Sequence, residues 1–137
     1  MWKRFFATAC ACVIFLLLVG ALRLYSAFPL SSLAGERTYY LGALSSQAVV
    51  RKRVRGIEIF RVKGQSVVLT ERIPPEDIAL RYNAKLVKTE RVEGVVCYYY
   101  RIAGRAGVCM DGTIVNLHIA VSQTQTVVGA PLIFGGF

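Results

Sequence analysis

The chain has 137 residues, a formal net charge of +9, and 55% hydrophobic against 18% charged residues. That length accommodates one domain and leaves no room for a second independent core. The apolar excess over the roughly 45–50% usual in soluble domains collects near the N-terminus, so the remainder reads as an ordinary globular chain.

Lys3 and Arg4 form a short basic flank, and Phe5 to Leu22 carries no charge. Those eighteen residues span about 27 Å as a helix, close to the hydrocarbon thickness of a bilayer. Arg23 can extend its guanidinium to the interface, which lets Leu24 to Phe28 lengthen the span, with Trp2 and Tyr25 as interfacial aromatics. Residues 1–28 therefore read as a transmembrane signal-anchor. Lys3, Arg4 and the amino terminus outweigh Arg23, so the positive-inside bias predicts a cytoplasmic N-terminus and an exported domain at a plasma membrane. The rival reading is a cleaved secretory leader and a secreted soluble product, with Val19-Gly20-Ala21 or Ser32-Leu33-Ala34 before the cut. Cys10 and Cys12 lie inside the apolar run and read as helix packing residues.

Residues 29–35 mix Pro, Ser and Gly and read as a tether, leaving 36–137 as an α+β domain. Glu36 to Leu41 has strand composition and Gly42 ends it. Ser45 or Ser46 then caps a helix through Ala48, Val50 and Val54, although the alternation of Val50, Lys52 and Val54 fits a strand nearly as well. Ile57 to Val62 and Gln65 to Thr70 flank Lys63-Gly64 and read as a hairpin. Pro74-Pro75-Glu76-Asp77 opens a short helix ending near Asn83, with proline in the first turn and acids at the positive end of its dipole. Leu86 to Val92 and Val95 to Ile102, joined by Glu93-Gly94, give a second hairpin. Asp111-Gly112 is the strongest turn dipeptide. After it Thr113 to Ser122 alternates, with Val115, Leu117, Ile119 and Val121 on one face and Asn116, His118, Ala120 and Ser122 on the other. A polar turn at Gln123-Thr124-Gln125 leads to a last strand and an apolar end from Gly129 to Phe137. The predicted whole is a mainly antiparallel sheet with one or two helices on one face.

His118 is the only histidine, so a thiol enzyme would pair it with Cys97 or Cys109. Alternation instead places its imidazole on a solvated strand face. Outside the span Cys97 and Cys109 are the only cysteines, and an oxidising exterior would permit them to form a disulfide; the alternative is two free thiols. Two cysteines and one histidine lack the close-pair spacing of a zinc site, and no cofactor is expected. Arg51, Lys52, Arg53 and Arg55 form a basic cluster, and residues 35–137 hold 14 Lys and Arg against 8 Asp and Glu. Such a cluster suits anionic lipid or a wall polymer. Outward orientation and the lack of a glycine-rich aromatic motif argue against nucleic acid, and no Gly-Lys-Ser/Thr phosphate loop occurs. The acids are scattered, so no carboxylate pair for glycoside hydrolysis stands out.

Val115-Asn116-Leu117-His118-Ile119-Ala120-Val121, followed after a polar turn by Val128-Gly129-Ala130-Pro131-Leu132-Ile133, resembles the C-terminal end of YwmB-like proteins. These are uncharacterised secreted or anchored proteins of endospore-forming bacteria. The resemblance spans a quarter of the chain and implies a fold like that of the TATA-box-binding protein, which carries no implication of DNA binding. It also implies an envelope setting in a sporulating cell, and it brings no catalytic residues. Together these readings lead to the expectation of a non-catalytic envelope module that contacts a protein partner or the anionic surface.

Overall fold

A computed structural model describes residues 1–45 and 47–134. Helix α1, Trp2–Ala27, is followed by β1 (Gly35–Leu41), β2 (Val49–Arg51), a 3-10 helix (Gly56–Arg61) and β3 (Val62–Leu69). Helix α2 (Pro75–Arg81) precedes β4 (Ala84–Val92), β5 (Val95–Ile102), β6 (Val108–Met110), β7 (Thr113–Val115), β8 (Leu117–Val121) and β9 (Thr126–Ala130). Seven strands form one antiparallel sheet in the order β2-β1-β3-β9-β8-β5-β4, and β6 and β7 form a separate two-stranded ribbon. This is the α+β architecture that the strand patterning predicts.

Local chemistry accounts for the elements that match expectation. Pro75 opens α2 with a φ suited to the helix, and Glu76 and Asp77 occupy its first turn beside unpaired backbone N–H groups. Between β4 and β5, Glu93 and Gly94 take φ of 49° and 83°, and Asp111 and Gly112 take 49° and 80° between β6 and β7. Two successive positive φ values give the turn whose twist matches paired strands.

The sheet is covered on both faces. On the first, Leu30, Leu33, Val67, Leu69, Ile78, Leu117, Ile119 and Val128 form the main core beneath α2. On the second, Cys97, Tyr99, Val115 and Ala120 pack against Leu132 and Ile133 of the C-terminal segment.

Four expectations need correction. The segment read as a tether is part of the core: Leu30 and Leu33 are each only 1% exposed. The buried Gln65 amide oxygen accepts the Leu30 N–H at 3.2 Å, and Arg37 donates to the carbonyls of Ser31 and Leu33. Tucked under the sheet, each leucine contributes about 1.5–3 kcal/mol by leaving water. The helix read from Ser45 through Val54 is instead β2, paired with β1 through Val49, Val50 and Arg51; its β-branched pairing wins over the capping serine, and Ser46 lies outside the described residues. No hairpin forms at Lys63-Gly64. Residues 57–61 belong to the 3-10 helix, and Gly64 lies within β3, where a Cβ would stand 3.2 Å from the Ala130 carbonyl and from Leu44. The glycine permits close approach of neighbouring backbone beside the β1 register shift, a role distinct from turning the chain.

The fourth correction concerns the strand read as continuous from Thr113 to Ser122. It breaks at Asn116, whose side chain accepts the Ile102 N–H at 2.6 Å and donates to the carbonyls of Ile102 and Arg105 at 2.9 and 3.0 Å. This interruption rotates the phase, so Val115 faces the second core while Leu117 and Ile119 face the first. Leu33→Ala is expected to destabilise the domain by about 2–5 kcal/mol. In urea denaturation followed by circular dichroism, a chain beginning at Gly35 should lose the cooperative transition that a chain beginning at Phe28 retains.

Candidate functional site

Three regions hold the side chains with chemical potential. Strand β5 alternates its tyrosines: Tyr98 and Tyr100 pack with the first core and Tyr99 with the second. Tyr99 is directly opposite His118 and Cys97 opposite Ala120, so all four side chains share the second face. The imidazole stacks on the Tyr99 ring with centroids 4.5 Å apart and planes 22° from parallel. Its Nδ1 accepts the Ile133 N–H at 3.3 Å.

His118 was expected on a solvated face and is only 5% exposed. Alternation was right that His118 and Ala120 share a face opposite Leu117 and Ile119, and wrong about Val115, which joins that face, and about water, because the apolar C-terminal segment folds back over it. Gly129, opposite His118, makes the fold-back sterically feasible, since a Cβ there would lie 2.6 Å from the Ile133 side chain. Phe134 ends the described segment edge-on to Tyr40, with centroids 5.4 Å apart. Burial holds the imidazole down to about 4 against its ordinary 6.5, opposed by the Glu90 carboxylate.

Both cysteines outside α1 are free thiols. Cys97 is buried in mid-sheet, whereas Cys109 is exposed on the β6–β7 ribbon opposite Ile114, so the pairing that the sequence allowed is absent. Desolvation raises the Cys97 thiol, opposed by a hydrogen bond with Tyr99. A nucleophilic thiol needs the reverse shift. Cys97 and His118 are diagonal neighbours, about 7–8 Å apart in such a ladder, and the ring directly beside the imidazole is Tyr99. At the rim of this face Lys88 pairs with Glu90 at 2.5 Å and Asp111 at 2.9 Å, which raises its ammonium and ties β4 to the ribbon turn. Among the described residues no three His, Cys, Asp or Glu side chains converge to hold a metal.

The second region is a cleft of about 300 Å³ between α2 and the edge strand β4, lined by Ala79, Leu80, Leu86, Tyr98 and Tyr100 with Glu76 and Asn83 as polar members. It offers apolar surface, and its only titratable groups are one carboxylate and two phenols.

The third region is the basic cluster. Arg51 closes β2, and Lys52, Arg53 and Arg55 lead into the 3-10 helix, all four exposed. Lys52 pairs with Glu36, and Arg51 stands 4.0 Å from Glu58, whose carboxylate also accepts the Arg55 N–H. Arg53 and Arg55 form no ion pair among the described residues. The structure adds two residues that sequence reasoning assigned to a strand: Ile57 and Phe60 are 80% and 58% exposed beside the cluster. Their three-residue spacing after Gly56 was the available signal.

Comparison with protein-family models, curated proteins and solved structures gives no match. The geometry alone therefore carries the functional argument.

The imidazole supplies a direct test of the second face. Between pH 6.5 and about 4 the unfolded chain binds a proton at His118 that the folded chain refuses. Stability should be full above about pH 6.5, decline as the pH falls toward 4, and level off with a loss of roughly 3 kcal/mol. Urea denaturation across that range should show the slope, and His118→Gln should flatten it. Equal slopes in both proteins would sink the burial account.

Proposed function

We propose that this chain is a non-catalytic, single-pass membrane module whose exported α+β domain engages an envelope partner. Helix α1 is the one helix among the described residues long and apolar enough to cross a bilayer, over Trp2–Tyr25, which suits an anchor or a leader. The observation that carries the anchored reading is the burial of Leu30 and Leu33 directly after that helix. Removal of a leader after Ala34 would strip both from the core. Cleavage after Ala21 would spare them and is the form of the secreted alternative that this burial accommodates. Lys3 and Arg4 favour an inward N-terminus. The α2–β4 cleft is the surface best suited to a partner's apolar segment, lying at the sheet edge farthest from β2. The likeness to YwmB-like proteins would add a sporulating-cell setting to this role.

The thiol-enzyme alternative has little to support it. Its histidine is stacked and capped, and its buried cysteine is pushed away from the thiolate.

Chains tagged at both ends offer the test. Both tags should remain on one polypeptide that resists alkaline extraction from membranes, and a reporter fused after Phe137 should be active only outside. Loss of the N-terminal tag would overturn the anchor, and activity only inside the cell would overturn the orientation.

A further inference from the structure

The 3-10 helix presents an apolar ridge that nothing in the domain covers. With three residues per turn, positions i and i+3 eclipse, so Ile57 and Phe60 project side by side. Two such residues exposed together on a six-residue element leave a substantial apolar surface in water. The ridge is ringed by cations: Arg51, Lys52, Arg53 and Arg55 precede it, Arg61 and Lys63 follow, and all six are exposed. Two acids, Glu36 and Glu58, pair within this group, leaving a strong positive excess.

Its position supplies the partner. The 3-10 helix lies against α1, and β3 does so as well. Helix α1 joins the domain at its C-terminal end, where Arg105 stacks over Tyr25 at 4.3 Å and Phe28 meets Tyr39 edge-on. Its 26 residues span about 39 Å, against about 30 Å of hydrocarbon, so about 9 Å of helix stands in the headgroup layers. A domain element in contact with α1, on a domain joined to its C-terminal end, is thereby kept within reach of the bilayer surface.

Building on the anchored reading above, we propose that the 3-10 helix is a membrane-docking wedge: Ile57 and Phe60 enter the interface of the bilayer that α1 spans, and the surrounding Arg and Lys side chains grip anionic headgroups. The arrangement matches the chemistry of interfacial segments, with apolar side chains on one side and basic residues at headgroup height. Charge complementarity selects anionic lipid, and connection to α1 selects the bilayer holding the chain. Docking at this second point would fix the tilt of the domain, which a single spanning helix leaves open.

The experiment uses the full chain in phosphatidylcholine vesicles with and without phosphatidylglycerol. The protein has one tryptophan, so Trp2→Phe combined with Phe60→Trp reports from the wedge alone. Ile57→Trp in the same background is an independent reporter, and Leu86→Trp reports from the exposed cleft residue. Brominated lipid should quench Trp at 57 and 60 most strongly when the bromines lie about 5–10 Å below the headgroups, and should spare Trp at 86. Each Arg→Gln change among positions 51, 53, 55 and 61 should lower the docked population about fivefold on anionic vesicles, and added salt should do the same. Vesicle-bound protein with both wedge tryptophans unquenched overturns the wedge and leaves the anchor standing. Quenching indifferent to phosphatidylglycerol, salt and the glutamine changes overturns the headgroup grip. Protein that fails to co-float with vesicles overturns the anchor, and the wedge with it.

Discussion

The structure depends on the burial of Leu30 and Leu33 within three residues of one another, immediately after a helix long and apolar enough to cross a bilayer. These leucines occupy the centre of the first core, beside Val67, Ile78 and Leu117, so the path of the chain out of α1 is fixed by the same packing that holds the sheet. Removing them would open a cavity in the domain, and lengthening the connection would detach the helix from it. The Arg37 guanidinium, which donates to two carbonyls of that turn, and the Ser32–Tyr82 hydroxyl contact at 2.7 Å reinforce the same joint. With the joint fixed, the 3-10 helix and β3 come to rest against α1.

From that joint the sheet extends toward β4, and its central strands lie between two apolar layers. The first layer is ordinary: α2 covers one face with Ile78 and Ala79. The second is formed by the chain's own end, which turns back after β9 and seals His118, Tyr99 and Ala120 from water. An imidazole enclosed in this way serves as a flat aromatic surface that accepts one backbone hydrogen bond. Its usefulness as a proton carrier near neutrality is correspondingly small.

Much of this was legible in the sequence, and the failures share a cause. The α1 helix, α2, the β4–β5 hairpin and the Asp111-Gly112 turn were readable because each is specified by local residues: a run without charge, Pro75 with its acids, Glu93-Gly94 and Asp111-Gly112. Gly64, Asn116, His118 and Leu30 were misread because each answers to a partner far along the chain. Gly64 yields to the Ala130 carbonyl, Asn116 satisfies Ile102 and Arg105, His118 is covered by Ile133, and Leu30 binds Gln65. Local pattern identifies a residue's face and period; it does not reveal what later arrives on that face. The basic cluster shows the same division, since its charge was plain from Arg51 to Arg55 while the apolar ridge beside it emerged only once Ile57 and Phe60 were seen to lie outside any strand.

Strand β4 is nine residues long and forms one border of the sheet, with its ladder interrupted between Leu86 and Lys88. A long, flat, unpaired border would recruit further copies of the chain one after another into a growing ribbon. The kink at Val87 breaks the even spacing such recruitment needs, and the exposed Lys85 and Arg91 set like charges against like along an approaching twin. The same irregularity that loosens the ladder therefore helps to keep copies of the chain apart as separate molecules.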